Sequence, residues 1–186
     1  SYGKVLIITG STGMTGAGAL SGRAALRTGA GLVYLGVPSA LTGIYDSLLE
    51  EAVTIPLEDR GAGVLSRDSL RQIEEHMNGK SVIAVGPGLS VNSDIVEITA
   101  GIIRMAEVPL VLDADALNAL SRDMSALRNL KSPAVLTPHP GEMARLLGIS
   151  IEEVQDNRIE TAEELSRRWN VITVLKGSRT VVALPD

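Results

Sequence analysis

The alternation of short apolar runs with amphipathic segments constrains the fold of this 186-residue chain more than any other feature. The apolar runs are rich in valine and isoleucine, which is typical of strands that helices bury on both faces. We interpret residues 4–9, 31–37, 52–57, 82–85, 110–112, 135–136, 171–175 and 181–184 as strands. Apolar residues at helical spacing predict helices at residues 17–28, 38–51, 66–78, 92–105 and 151–169, the last broken near 156–157. The pattern predicts an α/β fold with a mostly parallel central sheet, helices on both faces and right-handed crossovers.

The composition of the chain limits the class of protein. Seventeen Lys and Arg against twenty-two Asp and Glu give a net charge of -5, which is atypical of a surface that binds nucleic acid or an anionic membrane. No apolar run is long enough to span a bilayer. The chain contains no cysteine, which excludes disulfides and thiolate chemistry. We therefore expect a cytoplasmic protein with no nucleic-acid or membrane partner.

The length of the chain predicts one domain over residues 1–186. A chain of this size buries roughly 70% of its unfolded surface, which is enough for a real core. We find no internal repeat, no low-complexity segment and no linker in the sequence. Phenylalanine is absent and aromatic residues are scarce, so this core must consist of Val, Ile, Leu and Ala side chains.

Five runs of unusual residues each follow a predicted strand directly. They are residues 10–16 (GSTGMTG), 86–88 (GPG), 113–118 (DADALN), 137–142 (TPHPGE) and 176–180 (KGSRT). The carboxyl ends of parallel strands meet at one edge of a sheet, and ligands bind there in open α/β folds. The sequence therefore predicts a binding cleft at this edge, lined by Gly13, Gly88, Asp113, His139 and Lys176.

The glycine-rich loop at residues 10–16 has two explanations. Glycine lets a backbone approach a ligand closely, and the N-terminus of a following helix binds phosphate. A turn that needs a positive φ explains the glycines equally well. The spacing is not that of the dinucleotide fingerprint, and the sequence contains no Walker A motif.

The polar residues at the other strand ends also leave alternatives open. His139 stands just before a predicted helix start at Pro140, so it is either a ligand contact or a helix cap. Asp113 and Asp115 could bind Mg²⁺ or act as a base, but alternation along a strand directs them to opposite faces. Asp115 fits better as the cap of the next helix, with Asn118 facing solvent. No metal ligand is assigned.

Six stretches together resemble the ADP/ATP-dependent NAD(P)H-hydrate dehydratases of the ribokinase-like superfamily. They are residues 10–17, 23–33, 86–89, 111–118, 137–142 and 174–177, in the order of the family and over the whole chain. The combination of His-Pro-Gly-Glu at 139–142 with Asp-Ala-Asp-Ala-Leu-Asn at 113–118 is highly specific to that family. The resemblance implies a ribokinase-like fold.

The resemblance also implies a reaction and its site. The family repairs hydrated NADH or NADPH by phosphorylating the ring hydroxyl from ADP or ATP with Mg²⁺, after which phosphate is eliminated. By resemblance, the hydrated dinucleotide would contact Ala17, Gly88 and His139. The phosphates of the nucleotide would contact Lys176, Gly177, Ser178, Arg179 and Thr180. We also expect a homo-oligomer.

One part of the family pattern does not occur in the sequence. The family continues into a Gly-x-Gly-Asp motif whose aspartate is the expected catalytic base, whereas this sequence ends at Asp186. We therefore expect that the C-terminal part of the domain is missing, that no catalytic residue lies within residues 1–186 and that these residues alone are inactive. The alternatives are another ribokinase-like small-molecule kinase and a non-catalytic nucleotide-binding module.

Overall fold

A single sheet of eight strands forms the centre of the computed structural model, which describes residues 2–186. The strands are β1 (Lys4–Ile8), β2 (Leu32–Pro38), β3 (Val53–Leu57), β4 (Val82–Val85), β5 (Leu110–Leu112), β6 (Ala134–Leu136), β7 (Ile172–Leu175) and β8 (Val181–Ala183). Their order in the sheet is β3-β2-β1-β4-β5-β6-β7-β8. All neighbours are parallel except β7 and β8. The predicted mostly parallel sheet is therefore confirmed.

In residues 2–186, eight α-helices connect these strands, close to their predicted positions. They are α1 (Thr15–Arg27), α2 (Thr42–Leu48), α3 (Ser69–Met77), α4 (Ser93–Met105), α5 (Asp115–Leu120), α6 (Pro140–Leu147), α7 (Ile151–Asp156) and α8 (Arg158–Trp169). The predicted break near 156–157 separates α7 from α8 at Asn157. The helix predicted over 38–51 is shorter, because Pro38 is the last residue of β2 and a 3₁₀ turn at Ser39–Leu41 precedes α2. In the described part of the chain, no helix is long and apolar enough to cross a membrane.

Helices pack on both faces of the sheet, as the sequence predicts. The alternation of side chains along β1 directs Leu6 and Ile8 to one face and Ile7 to the other. The face of Leu6 and Ile8 carries the larger core, to which α3 to α8 all contribute buried side chains. The face of Ile7 packs against α1 and α2, which contact β1, β2 and β3.

On the face of Ile7, α1 and α2 cover only the half of the sheet that contains β1, β2 and β3. The other half of this face is covered less completely. We call this uncovered area the open face and define it by Val111, Val135, Ile172, Val174 and Val182. These side chains follow one another across β5 to β8 in register. The first four are partly exposed, and Val182 is 62% exposed. The open face is therefore an apolar surface that borders the carboxyl edge of the sheet.

Candidate functional site

The loops that follow five parallel strands lie side by side at the carboxyl edge of the sheet. Backbone hydrogen bonds continue between neighbouring strands beyond their ends. They join the N–H of Gly10 to the carbonyl of Pro87 (3.1 Å), Asp113 to Val85 (3.1 Å), Thr137 to Leu112 (3.1 Å) and Lys176 to Pro138 (2.8 Å). The predicted placement of the five runs at one edge is thus confirmed, while their roles in binding stay predictions.

Gly88 and Ala17 are neighbours at the wall of this edge. A Cβ atom on Gly88 would lie 2.8 Å from the backbone oxygen of Met14 and 3.1 Å from the Cβ of Ala17. Ala17 lies in the first turn of α1, so the glycine-rich loop and its helix pack closely against the loop after β4. Gly10 and Gly13 have φ values of +90° and +85°, which supports the turn explanation for these two glycines.

Asp59, a buried carboxylate behind the glycine-rich loop, was not predicted from the sequence. Asp59 follows β3, and its side chain accepts hydrogen bonds from the Ser39 hydroxyl at 2.7 Å and the N–H groups of Gly61 and Gly63 at 3.0 Å each. Burial raises the pKa of Asp59, but these hydrogen bonds outweigh it and leave the pKa below its ordinary value. Gly63 in turn accepts the N–H of Thr12 at 2.8 Å. Asp59 therefore stabilises the glycine-rich loop indirectly, through Gly63, from the side of β3.

His139 is a helix cap, which was one of its two predicted roles. Its Nδ1 accepts the N–H groups of Gly141 (3.0 Å) and Glu142 (3.3 Å), and the Glu142 Oε2 accepts the His139 N–H at 2.8 Å. This is a reciprocal capping box with histidine in place of serine. Because Nδ1 is an acceptor, the proton of the neutral ring is on Nε2. Nε2 lies 3.4 Å from the Glu142 Oε1, and because the side chain is 50% exposed, Nε2 is the ring nitrogen that a ligand could also contact.

Lys176 takes part in an ion pair between loops and is not simply solvated. Its Nζ lies 2.6 Å from Asp113 Oδ1 and 3.9 Å from Glu142 Oε2. Glu142 is 4% exposed, and Asp113 and Lys176 are half-buried. We call these three residues the lysine cluster. It joins the loops after β5, β6 and β7, and it places two carboxylates around one ammonium group.

The predicted cap role of Asp115 is wrong. Helix α5 begins at Asp115 itself, whose Oδ2 accepts the Ser90 N–H at 2.9 Å and whose Oδ1 accepts the Asn118 amide at 3.3 Å. Asn118 does not face solvent freely, because its Oδ1 accepts a hydrogen bond from Arg145 Nε at 3.0 Å. A positive φ of +49° at Ala114 turns the chain and directs Asp115 toward the loop after β4.

The two aspartates of this loop have different partners, but strand alternation is not the reason, because β5 ends at Leu112 and Asp115 is already in α5. Asp113 contacts Lys176, whereas Asp115 contacts Ser90. Over residues 2–186, no group of three or more His, Cys, Asp or Glu side chains is arranged to hold a metal ion.

The loop at residues 177–180 presents its backbone to solvent. All four residues are exposed, and Gly177 and Arg179 have φ values of +146° and +61°. Within the described chain, the N–H groups of these four residues donate to no other group. Free N–H groups beside a lysine are suited to an anion such as phosphate.

A sequence model of the NAD(P)H-hydrate dehydratase family (Carb_kinase) matches residues 5–186. The chain belongs to the NAD(P)H-hydrate dehydratase family. The match includes all five loops at the carboxyl edge, which the structure brings together.

Relatives of known name agree with this family. The bifunctional NAD(P)H-hydrate repair enzyme Nnr of Moorella thermoacetica is 46% identical over 185 residues, which are 100% of this chain and 35% of that enzyme. The crystal structure of the ADP/ATP-dependent NAD(P)H-hydrate dehydratase from Bacillus subtilis, co-crystallized with ATP/Mg²⁺ and soaked with CoA, has a TM-score of 0.78 at 30% identity. The alignment covers 100% of this chain and 63% of that one.

The fold of the family is also confirmed by a more distant structure. A ribokinase-like superfamily protein from Enterococcus faecalis has a TM-score of 0.80 at 23% identity, over 99% of this chain and 62% of its own. The chain thus has the ribokinase-like fold. It spans about a third of the length of the Moorella enzyme and less than two thirds of the Bacillus and Enterococcus structures.

Proposed function

We propose that the whole protein repairs hydrated NADH and NADPH in an ADP- or ATP-dependent dehydration. The observation that carries this proposal is the family match over residues 5–186, which covers every loop at the carboxyl edge. The Bacillus relative is named as ADP/ATP-dependent and was co-crystallized with ATP/Mg²⁺. The lysine cluster and the free N–H groups of the 177–180 loop support a phosphate site at the same edge.

The proposed reaction has two steps. The ring hydroxyl of the hydrated nicotinamide attacks the terminal phosphoryl group of the nucleotide, and its proton passes to a base. The bond between that phosphorus and the bridging oxygen breaks, and AMP (from ADP) or ADP (from ATP) leaves. The C–O bond then breaks, the phosphate leaves with the bonding electrons, and loss of the adjacent proton restores the ring double bond. Mg²⁺, when bound, supplies charge neutralisation on the phosphates. Within residues 2–186 we assign no catalytic base, and the proposal places that role outside them.

The residues of this chain would bind and orient the two substrates. The phosphates would lie on the N–H groups of Gly177, Ser178, Arg179 and Thr180, with the ammonium of Lys176 beside them. Donors that are fixed in advance around a transferring phosphoryl group are the main protein contribution to this type of reaction. The hydrated dinucleotide would lie against Ala17 and Gly88, with a hydrogen bond from His139 Nε2.

A turnover assay tests the proposal. The whole protein is mixed with hydrated NADH, ADP or ATP, and Mg²⁺, and recovery of the dihydronicotinamide absorbance is followed. We expect nucleotide-dependent recovery. Nucleotide binding without recovery would instead indicate a non-catalytic binding module, and phosphorylation of another small molecule would indicate a kinase. The homo-oligomer and the cytoplasmic location stay predictions.

His139→Ala in the whole protein is expected to weaken use of the hydrated dinucleotide about tenfold or less, because a neutral hydrogen bond contributes about 0.5–1.5 kcal/mol net. It is also expected to lower the free energy of unfolding by about 1 kcal/mol, since α6 loses its cap. The measurements are KM and kcat/KM for each substrate, and urea unfolding.

His139→Asn separates these two effects. The amide oxygen of Asn is a good N-cap acceptor, so stability should stay near that of the wild type. The donor at the position of Nε2 is lost, so the kinetic defect should persist. If His139→Asn has wild-type kinetics, His139 is a cap and nothing more.

A further inference from the structure

Arg158 occupies a position that helix stability does not explain. It is the first residue of α8, where its positive charge opposes the helix dipole. The residue before it, Asn157, makes no side-chain cap hydrogen bond to α8. In the part of the chain that the structure describes, no carboxylate lies within ion-pair distance of Arg158. Neither the helix dipole nor an ion pair therefore accounts for this half-buried arginine at the start of α8.

The guanidinium of Arg158 holds the start of the 177–180 loop. Its Nη2 donates to the carbonyl oxygens of Leu175 (3.1 Å) and Lys176 (3.2 Å), the last residue of β7 and the residue after it. Its Nη1 donates to the Gln155 side chain at 3.1 Å. Arg158 thus ties α8 to the chain at the point where β7 becomes the loop.

The absence of a side chain at Gly177 leaves room for this guanidinium. A Cβ atom on Gly177 would lie 3.0 Å from Nη2 and 3.1 Å from Nη1, and the φ value of +146° is one that residues with a side chain rarely adopt. The backbone of Gly177 therefore lies directly against Arg158. The Nε of Arg158 is buried there and has no hydrogen-bond partner among residues 2–186.

This contact decides which backbone groups of the loop are available to an anion. Carbonyl oxygens repel phosphate, and Arg158 engages those of Leu175 and Lys176. Among residues 2–186, the N–H groups of the next four residues have no hydrogen-bond partner, and all four residues are exposed. The planar fork of an arginine can hold two carbonyl oxygens in a fixed geometry, which the single ammonium of a lysine cannot.

We propose that Arg158 is a positioning residue for the nucleotide phosphates: it fixes the conformation of the 177–180 loop without touching the ligand. This inference rests on the proposed function for the location of the nucleotide. Arg158 lies outside the 177–180 loop, on helix α8, and is not among the site residues that the sequence predicts.

Arg158→Lys in the whole protein tests the inference, with Arg167→Lys as the matched control. Arg167 is on the same helix, is 62% exposed and pairs with Glu163. We expect Arg158→Lys to weaken binding of Mg-ATP about tenfold, the effect of losing one or two hydrogen bonds. The KM for nucleotide should rise by a similar factor, whereas the KM for the hydrated dinucleotide and the unfolding temperature should change little. The control should match the wild type.

A second variant, Gly177→Ala, disturbs the same contact while Arg158 stays in place, and it should itself weaken binding of Mg-ATP. Gly177→Ala places a methyl group against the guanidinium in an exposed loop that does not contribute to the core. Because both changes disturb the same contact, the double variant should bind Mg-ATP no more weakly than the worse single variant. Additive losses would contradict the inference.

The results also separate this inference from the proposed function. If the wild type binds Mg-ATP without turnover, the function fails but the binding comparison still decides the role of Arg158. Wild-type affinity in Arg158→Lys, or equal losses for both substrates, would overturn the inference. A wild-type protein that does not bind Mg-ATP would count against both.

Discussion

Replacing Gly86 by alanine is expected to lower the free energy of unfolding by about 4 kcal/mol, the largest effect of any single substitution considered for this protein. Gly86 directly follows β4 and has a φ value of +132°, in a region that is almost exclusive to glycine. A Cβ atom there would lie 1.7 Å from the backbone oxygen of Asp113. The backbone after β5 would have to move, and with it the ion pair between Asp113 and Lys176.

Gly79→Ala is the matched control for this prediction. Gly79 also has a positive φ, +69°, but a Cβ atom at that position meets nothing within 4 Å. Its cost should therefore be that of the backbone conformation alone, about 1–2 kcal/mol. Urea unfolding of both variants of the whole protein measures the difference. Equal decreases in the free energy of unfolding would contradict the prediction. They would show that the backbone after β5 can move at little cost and that this edge of the sheet is less rigid than its hydrogen bonds suggest.

Lys176→Ala is expected to weaken nucleotide binding about 100-fold at low salt, because it removes a positive charge and also leaves two carboxylates facing the phosphates. The ammonium of Lys176 lies 2.6 Å from Asp113 and 3.9 Å from Glu142. The loss should shrink at high salt, since part of the interaction is Coulombic and Lys176 is 41% exposed. Titration of the whole protein with ADP and ATP at two salt concentrations measures it. The affinity for the hydrated dinucleotide should change much less.

Two further variants make the Lys176 prediction specific. Lys131→Ala removes an exposed lysine before β6, at the opposite edge of the sheet, and should leave nucleotide affinity unchanged. Adding Asp113→Asn to Lys176→Ala should recover part of the lost affinity, because one of the two carboxylates is neutralised. Unchanged affinity in Lys176→Ala at low salt would mean that the lysine only pairs with Asp113 and that the nucleotide binds elsewhere.

The strands and the shared edge of the sheet could be predicted because they depend on local patterns. Runs such as 82–85 and 110–112 are apolar, short and bounded by glycine or proline, and both predicted ranges agree with the structure. Once the alternation of strands and helices indicates a parallel sheet, the position of each following loop is determined.

The contacts that shape the site could not be predicted in the same way. In sequence, Arg158 is one of several charged residues on an amphipathic helix, and its role depends on where α8 packs relative to the end of β7. Asp115 is a suitable cap by residue type, but the positive φ of Ala114 has no signal in the residue itself. Asp59 had a weak signal, an acid after a strand and before Gly61 and Gly63, which the sequence analysis did not use.

The open face should make association of this chain with other molecules depend on temperature. Its side chains, among them Val135, Ile172 and Val182, present a continuous hydrocarbon surface to water. Association through such a surface is driven by the release of water, and this driving force weakens on cooling. Any complex that these residues form with another molecule through the open face should therefore be cold-labile and dissociate more readily on ice than at room temperature.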